Sequence, residues 1–209
     1  MDPGLLPVKQ LSRAKQRLLP HVTDEQRHEI ARALLDDALD LCASATRFEW
    51  WVVSDDAEVR QIATDRGFNP VEDPGEGLNR ALEVGIDTIK GAGGDSVTII
   101  PIDVPLAWTG DLQDLQDTSA TSDVVVVPSR DGGTNGLYLS PPDAMKPMFG
   151  EFSFKAHIAE AEHLGLRCSM LTLPRLELDI DTIEDVDAYL ARPRAAETRT
   201  SRLLTRIRS

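Results

Sequence analysis

Residues 96–105 read SVTIIPIDVP. The apolar, β-branched run has no polar alternation, so it reads as a strand buried on both faces, the mark of a parallel sheet covered by helices on each side. DVVVV (123–127) repeats the pattern, and GLYLS (136–140) follows as a further strand. Outward from these the chain alternates between the two periodicities. PGLLPV (3–8), FEWWVVS (48–54) and FNPVED (68–73) are strands. In the stretch 23–45, Thr23 and Gln26 form a capping box, and Ile30, Leu34, Ala38 and Leu41 recur at helical spacing. DAEVRQIATDRG (56–67) is a helix closed by Gly67, and 75–94 is another, with Leu78, Leu82, Ile86 and Ile89 on one stripe. A helix spans about 153–164, CSMLTLPRLELDID (168–181) holds one or two strands, and TIEDVDAYLAR (182–192) is the closing helix. Strands alternating with helices over the whole chain predict an α/β protein with a mostly parallel sheet, organised as a single domain over 1–209.

The net charge of −13 excludes general nucleic-acid binding, which needs a basic footprint. No apolar stretch approaches the roughly 18 residues of a membrane span, and the N-terminus lacks a signal-peptide pattern, so a cytoplasmic location without membrane association is expected. Cys42 and Cys168 fit no metal spacing and read as small buried hydrophobes. The last eighteen residues carry six arginines, which suggests a solvated helix or frayed end, with an oligomer contact such as a homodimer as the minority reading.

In a sheet of this kind, ligands sit beyond the carboxyl ends of the strands, so the residues that follow each strand are the candidates. After the first strand, VKQLSRAKQR gathers Lys9, Lys15 and Arg17, either a solvated basic loop or an entry for phosphate. Asp103 directly follows the two-faced strand, where a carboxylate serves as a ligand for a hard metal or as a cap. Asp179 and Asp181 lie two apart on an expected strand, so both project from one face, and a divalent cation is the usual remedy for their repulsion; N-capping is the competing role for Asp181. RDGGTNG (130–136) is either a hairpin turn or a cradle that offers Arg130 and the polar side chains of Thr134 and Asn135 to an anion. In FGEFSFKAH, Gly150 lets the chain turn into a helix whose start carries Ser153 and Lys155. Backbone donors and the dipole at that end attract phosphate, although Lys155 can equally be a surface residue. Three of only five lysines fall in this set, beside three aspartates able to gather Mg²⁺; that kit suits nucleotidyl or phosphoryl transfer.

Taken in order, LPVKQLSRAKQRL, IDVP, SRDGGTN, FGEFSFKAH and LDIDTIEDV resemble the 2-phospholactate guanylyltransferase family, whose relatives act on phosphoenolpyruvate or 3-phosphoglycerate. The resemblance implies a three-layer α/β/α Rossmann-like nucleotidyltransferase fold with a β-hairpin insertion. It implies an activity in coenzyme F-420 biosynthesis: GTP plus a phosphorylated three-carbon acid gives a guanylylated acid and pyrophosphate. By motif, Asp103, Asp179 and Asp181 would hold Mg²⁺, and Thr134, Gly150 and Ser153 would grip the acid. Gly77, Leu78 and Asn79 would lie near the guanine, and Lys9, Lys15 and Arg17 would neutralise the leaving pyrophosphate. Two other readings stay open: a sugar-nucleotide nucleotidyltransferase or glycosyltransferase of the same architecture, and a non-catalytic acidic binding module.

Overall fold

The computed structural model describes residues 1–208. Seven strands form one sheet: β1 (Asp2–Pro7), β2 (Phe48–Ser54), β3 (Asn69–Glu72), β4 (Val97–Ile99), β5 (Val124–Pro128), β6 (Thr134–Leu139) and β7 (Cys168–Met170). Their order across the sheet is β3-β2-β1-β4-β6-β5-β7, and only β6 runs antiparallel to its neighbours. Seven α-helices accompany them: α1 (Asp24–Ser44), α2 (Ala57–Asp65), α3 (Leu78–Gly91), α4 (Thr109–Ser119), α5 (Ser153–His163), α6 (Ile183–Leu190) and α7 (Arg199–Arg208).

The strand side chains explain the layers. Alternate residues point to opposite faces, and each face has its own core. Leu6, Trp50, Val52, Val125 and Val127 meet Leu35 and Leu39 of α1 and Leu112 and Leu115 of α4. Leu5, Trp51, Val53, Val124 and Val126 meet Leu82, Ile86 and Ile89 of α3 and Ala161 of α5. Both faces are therefore apolar, which is why these strands lack polar alternation. A Cβ on Gly85 of α3 would lie 2.7 Å from Leu5 Cδ1, so the bare glycine lets α3 sit close to the sheet. A third cluster joins the outer side of α1 to α6 and α7 through Ile30, Leu34, Val186, Tyr189 and Leu204.

The capping box of Thr23 and Gln26 forms as expected. Four expectations need correction. The segment 171–181 is not a strand: after β7 the chain turns at Pro174–Glu177 and crosses the sheet edge, tied at Ile180, whose N–H donates to the Asp103 carbonyl (3.0 Å). α4 was not expected; its turns bury few apolar side chains but enclose Asp111 completely. Of the two readings of the arginine-rich tail, the frayed end is wrong and the helix with exposed arginines is right: α7 packs on α1, buries Leu204, and pairs Arg199 with Asp40 and Arg208 with Asp187. Cys168, unlike the buried Cys42, is only half-buried, on the edge strand β7.

β5 and β6 form the hairpin anticipated for 130–136. Pro128 pairs with Thr134 and Val127 with Gly136, so Asn135 is an extra residue in β6. Such a bulge re-aims side chains, and here Thr134 and Asn135, although adjacent, are both buried. Because β6 is antiparallel, its first residue lies at the same sheet edge as the carboxyl ends of β1 to β4.

Candidate active site

That edge carries the chemistry. Beyond β1 the chain makes two 3-10 turns, Leu11–Arg13 and Gln16–Leu18, with Lys15 between them in the left-handed region (φ 54°). The loop is tied down from beneath. Buried Arg27 of α1 donates to the carbonyls of Ala14 (2.6 Å) and Ser12 (2.7 Å), and the Leu11 N–H donates to Asp56 Oδ2 (3.2 Å). A left-handed non-glycine residue costs of the order of 1–3 kcal/mol and persists where surrounding contacts impose it.

The imposed conformation turns Lys15 inward. Its Nζ donates to Asp103 Oδ2 (2.6 Å) and Asp181 Oδ1 (2.7 Å), with 8% of the side chain exposed. The Asp103 and Asp181 charges outweigh burial and raise the Lys15 pKa, so it stays an ammonium. Arg17, mostly exposed, approaches Asp181 Oδ2 at 3.9 Å. Asp103, Asp179 and Asp181 each offer a carboxylate oxygen within 4.8 Å of the others. At that separation two carboxylates repel by about 3 kcal/mol at an effective dielectric constant near 20. Lys15 compensates two of them. Asp179 lacks that partner: burial first, then the neighbouring Asp103, push its pKa up to about 6. Asn135 Nδ2 holds it, donating to Asp179 Oδ1 (3.2 Å) and to the Leu176 carbonyl (2.7 Å). Three hard oxygen donors with one ammonium between them leave negative charge unmatched, and this donor set fits an oxygen-seeking divalent cation.

Two adjoining clefts open beside the triad. One, of about 410 Å³, is walled by Lys9, Lys15, Arg17, Asp103, Phe149 and Asp181. The other, of about 190 Å³, is lined by Lys9, Arg13, Asp55, Asp73, Gly77 and Leu78. Lys9 borders both, and its side chain is exposed. Gly77 (φ 100°) caps α3. Asn79 does not line either cleft: its carboxamide donates to the Phe149 carbonyl (3.0 Å) and accepts from the Phe149 N–H (2.7 Å), fastening the wall that Phe149 provides.

On the other side of Phe149 lie the remaining candidates. Gly150 has φ 143°, a region that favours glycine. The chain then enters α5 at Ser153, which is buried and donates from Oγ to Thr134 Oγ1 (3.2 Å). The hairpin tip packs against this helix start, with the Phe154 N–H donating to the Gly132 carbonyl (3.3 Å). The structure thus brings Thr134, Gly150 and Ser153 together, one residue from the Asn135–Asp179 contact. Arg130 and Lys155 are not part of that grouping. Arg130 turns to Asp185 of α6 (3.2 Å), and Lys155 projects to solvent from the first turn of α5. Sequence reading missed the supports beneath, Arg27 and His157, and marked Asn135 only as a polar residue of the loop, not as the partner of Asp179. It also missed Asp55 and Asp73, although both directly follow strands.

The comparisons with known proteins agree with this geometry. Residues 4–208 match the family described as "Guanylyl transferase CofC like". A phosphoenolpyruvate guanylyltransferase of Sphaerobacter thermophilus is 35% identical over 186 residues, covering 88% of this chain and 90% of the relative. A 2-phospho-L-lactate guanylyltransferase of Methanothermobacter thermautotrophicus is 36% identical over 184 residues, covering 88% and 81%. Among solved structures, a putative nucleotide-diphospho-sugar transferase from Desulfovibrio desulfuricans G20 superposes with a TM-score of 0.82 at 17% identity, covering 99% of this chain and 95% of that one. That last likeness supports the three-layer nucleotidyltransferase fold, and the family match extends over both clefts, the triad and the hairpin: this chain belongs to the CofC-like guanylyl transferase family.

Proposed function

We propose that the chain acts as one nucleotidyltransferase domain that joins GMP from GTP to the phosphate of a three-carbon acid and releases pyrophosphate. The acid is phosphoenolpyruvate, 2-phospho-L-lactate or 3-phospho-D-glycerate, and the product feeds coenzyme F-420 biosynthesis in the cytoplasm. The observation that carries this reading is the juxtaposition, at one sheet edge, of an acidic triad, a basic cleft and a hydroxyl-bearing helix start.

An oxygen of the acid's phosphate is already a nucleophile, so the reaction needs no general base. It bonds to the α-phosphorus of GTP as the bond from that phosphorus to the α–β bridging oxygen breaks, and the electron pair leaves with pyrophosphate. Lys9, Arg13 and Arg17 offset the charge of the triphosphate at the cleft mouth. Lys15 holds Asp103 and Asp181 in place through its two hydrogen bonds. Asp103, Asp179 and Asp181 would hold Mg²⁺, which when bound neutralises phosphate charge and makes the α-phosphorus more electrophilic. Gly77 and Leu78 border the end of the cleft that suits the base. Thr134, Gly150 and Ser153 position the acid, whose anionic groups meet the positive end of the α5 dipole.

Pyrophosphate release, followed with GTP, Mg²⁺ and each of the three acids in parallel, tests the reading. Release above background with at least one acid, and none without an acid, supports it. Release that is independent of all three acids sinks it.

A further inference from the structure

His157 lies one turn into α5, fully buried, and carries no role in the reaction described above. Both of its ring nitrogens are engaged. The Met148 N–H donates to Nε2 (2.9 Å), and Nδ1 lies 3.0 Å from Thr134 Oγ1. A nitrogen that accepts a hydrogen bond has no proton of its own. The Met148 contact therefore fixes the ring as the neutral Nδ1–H tautomer, and Nδ1–H donates to Thr134 Oγ1, with the Ser153 carbonyl one turn back as a second acceptor beside it. Ser153 Oγ donates to the same oxygen (3.2 Å). A hydroxyl has two lone pairs and one proton, so two incoming donors occupy both lone pairs and leave the proton as the only free valence. No acceptor among the described residues takes that proton.

We infer that His157 is a positioning residue for the acceptor subsite: through its Nδ1–H it forces Thr134 to act as a hydrogen-bond donor, and so selects an anionic oxygen of the acid as Thr134's partner. The inference rests on the proposed acid-binding role of Thr134. Without His157 the Thr134 hydroxyl would rotate and could accept as well as donate, losing its selectivity for an anion. His157 also steadies the cleft wall. The Met148 N–H that it accepts from precedes Phe149, whose ring meets the imidazole edge-on (centroids 5.2 Å apart, 72° between planes) and whose backbone Asn79 clasps from the other side. Burial depresses the His157 pKa to about 4, which keeps the ring neutral in the physiological range, as the donor role requires.

Two substitutions separate the two nitrogens. His157→Gln can place an oxygen near the Nε2 position for Met148 but has no donor at Nδ1. His157→Asn keeps a donor near Nδ1 and loses the acceptor for Met148. Losing one directed hydrogen bond predicts a roughly three- to tenfold rise in KM for the acid with His157→Gln, with little change in KM for GTP. His157→Asn restores most of the acid affinity. In a Thr134→Val background, which itself raises the acid KM, His157→Gln adds nothing further, because the group it orients is gone. An equal penalty in both backgrounds, or an equal rise in both KM values, overturns the inference while leaving the acid subsite standing. A wild-type acid KM in Thr134→Val overturns the subsite reading and the inference with it. A measurement on the unaltered protein is independent of any folding defect in the variants. Nitrogen-15 NMR of the ligand-free protein at about pH 6 is expected to show one imidazole as the Nδ1–H tautomer. An imidazolium or the Nε2–H tautomer at His157 refutes the assignment.

Discussion

Replacing Asp179 by asparagine is expected to make the ligand-free protein more stable and the enzyme inert. The folded-state pKa of Asp179 stands at about 6 against an ordinary 3.8. A carboxyl whose pKa is raised by folding costs nothing at pH values below its unfolded pKa, and its penalty grows as pH climbs to the folded one. Near neutral pH the full penalty is present. The shift corresponds to about 3 kcal/mol at 1.36 kcal/mol per pKa unit. Because the group is only partly buried, solvent screening reduces this to roughly 1–2 kcal/mol. Asparagine keeps the shape and an oxygen for the Asn135 amide, and removes the charge that Asp103 repels. Urea unfolding in EDTA at about pH 7.5 should therefore show Asp179→Asn more stable than wild type by roughly 1–2 kcal/mol, and the gain should vanish below about pH 4. Pyrophosphate release should fall by about a thousandfold if Asp179 is one of the proposed Mg²⁺ ligands, since several kcal/mol of transition-state stabilisation go with such a ligand. A residue that costs stability and supplies activity is expected at a functional site. A variant that is less stable in EDTA, or that retains turnover, would refute the reasoning from charge crowding.

Three more outcomes are expected. His157 titrates at about 4 in the folded state against 6.5 unfolded, so the stability it contributes is complete above pH 6.5 and is lost as pH falls toward 4. The loss is about 3 kcal/mol, and a wild-type pH–stability curve parallel to that of His157→Gln would count against it. Arg175→Met strips the paired guanidinium from Asp111, which is fully buried and bound through both carboxylate oxygens. Unfolding free energy should drop by about 3 kcal/mol or more, and Asp111→Leu added to it should recover part of that. Arg27→Gln removes the bonds that hold the loop bearing Lys15, so KM for GTP should rise severalfold with KM for the acid little changed; steady-state kinetics with either substrate varied would show the split.

The layers were legible because burial on two faces leaves a mark on composition. DVVVV and VTIIPI have no polar alternation, and the structure divides Val124 and Val126 from Val125 and Val127 between two cores. The LDID pattern told the facing of its side chains correctly, since Leu178 and Ile180 are buried and the aspartates are half-buried. It did not tell that the segment leaves the sheet, because a turn begun at Pro174 depends on tertiary contacts. α4 escaped notice because Leu112 and Leu115 give a thin apolar stripe and Asp111 is buried only through its pairing with Arg175. Lys15 was legible as part of a basic loop. Its inward turn was not, since the left-handed backbone at Lys15 is held by contacts from Arg27, twelve residues further along the chain. Asn135 and His157 left the faintest trace: one acts through a bulge in strand pairing, the other as a lone histidine on a helix face, and neither feature has a local sequence signature.

The bond broken in GTP tests the central claim most directly. Phosphorus-31 NMR of the protein with GTP, Mg²⁺ and phosphoenolpyruvate, 2-phospho-L-lactate or 3-phospho-D-glycerate should show pyrophosphate together with a new diphosphate diester that links GMP to one acid. GTP that stays intact with all three acids, or that breaks between its β and γ phosphates to GDP and inorganic phosphate, would contradict guanylyl transfer at this site.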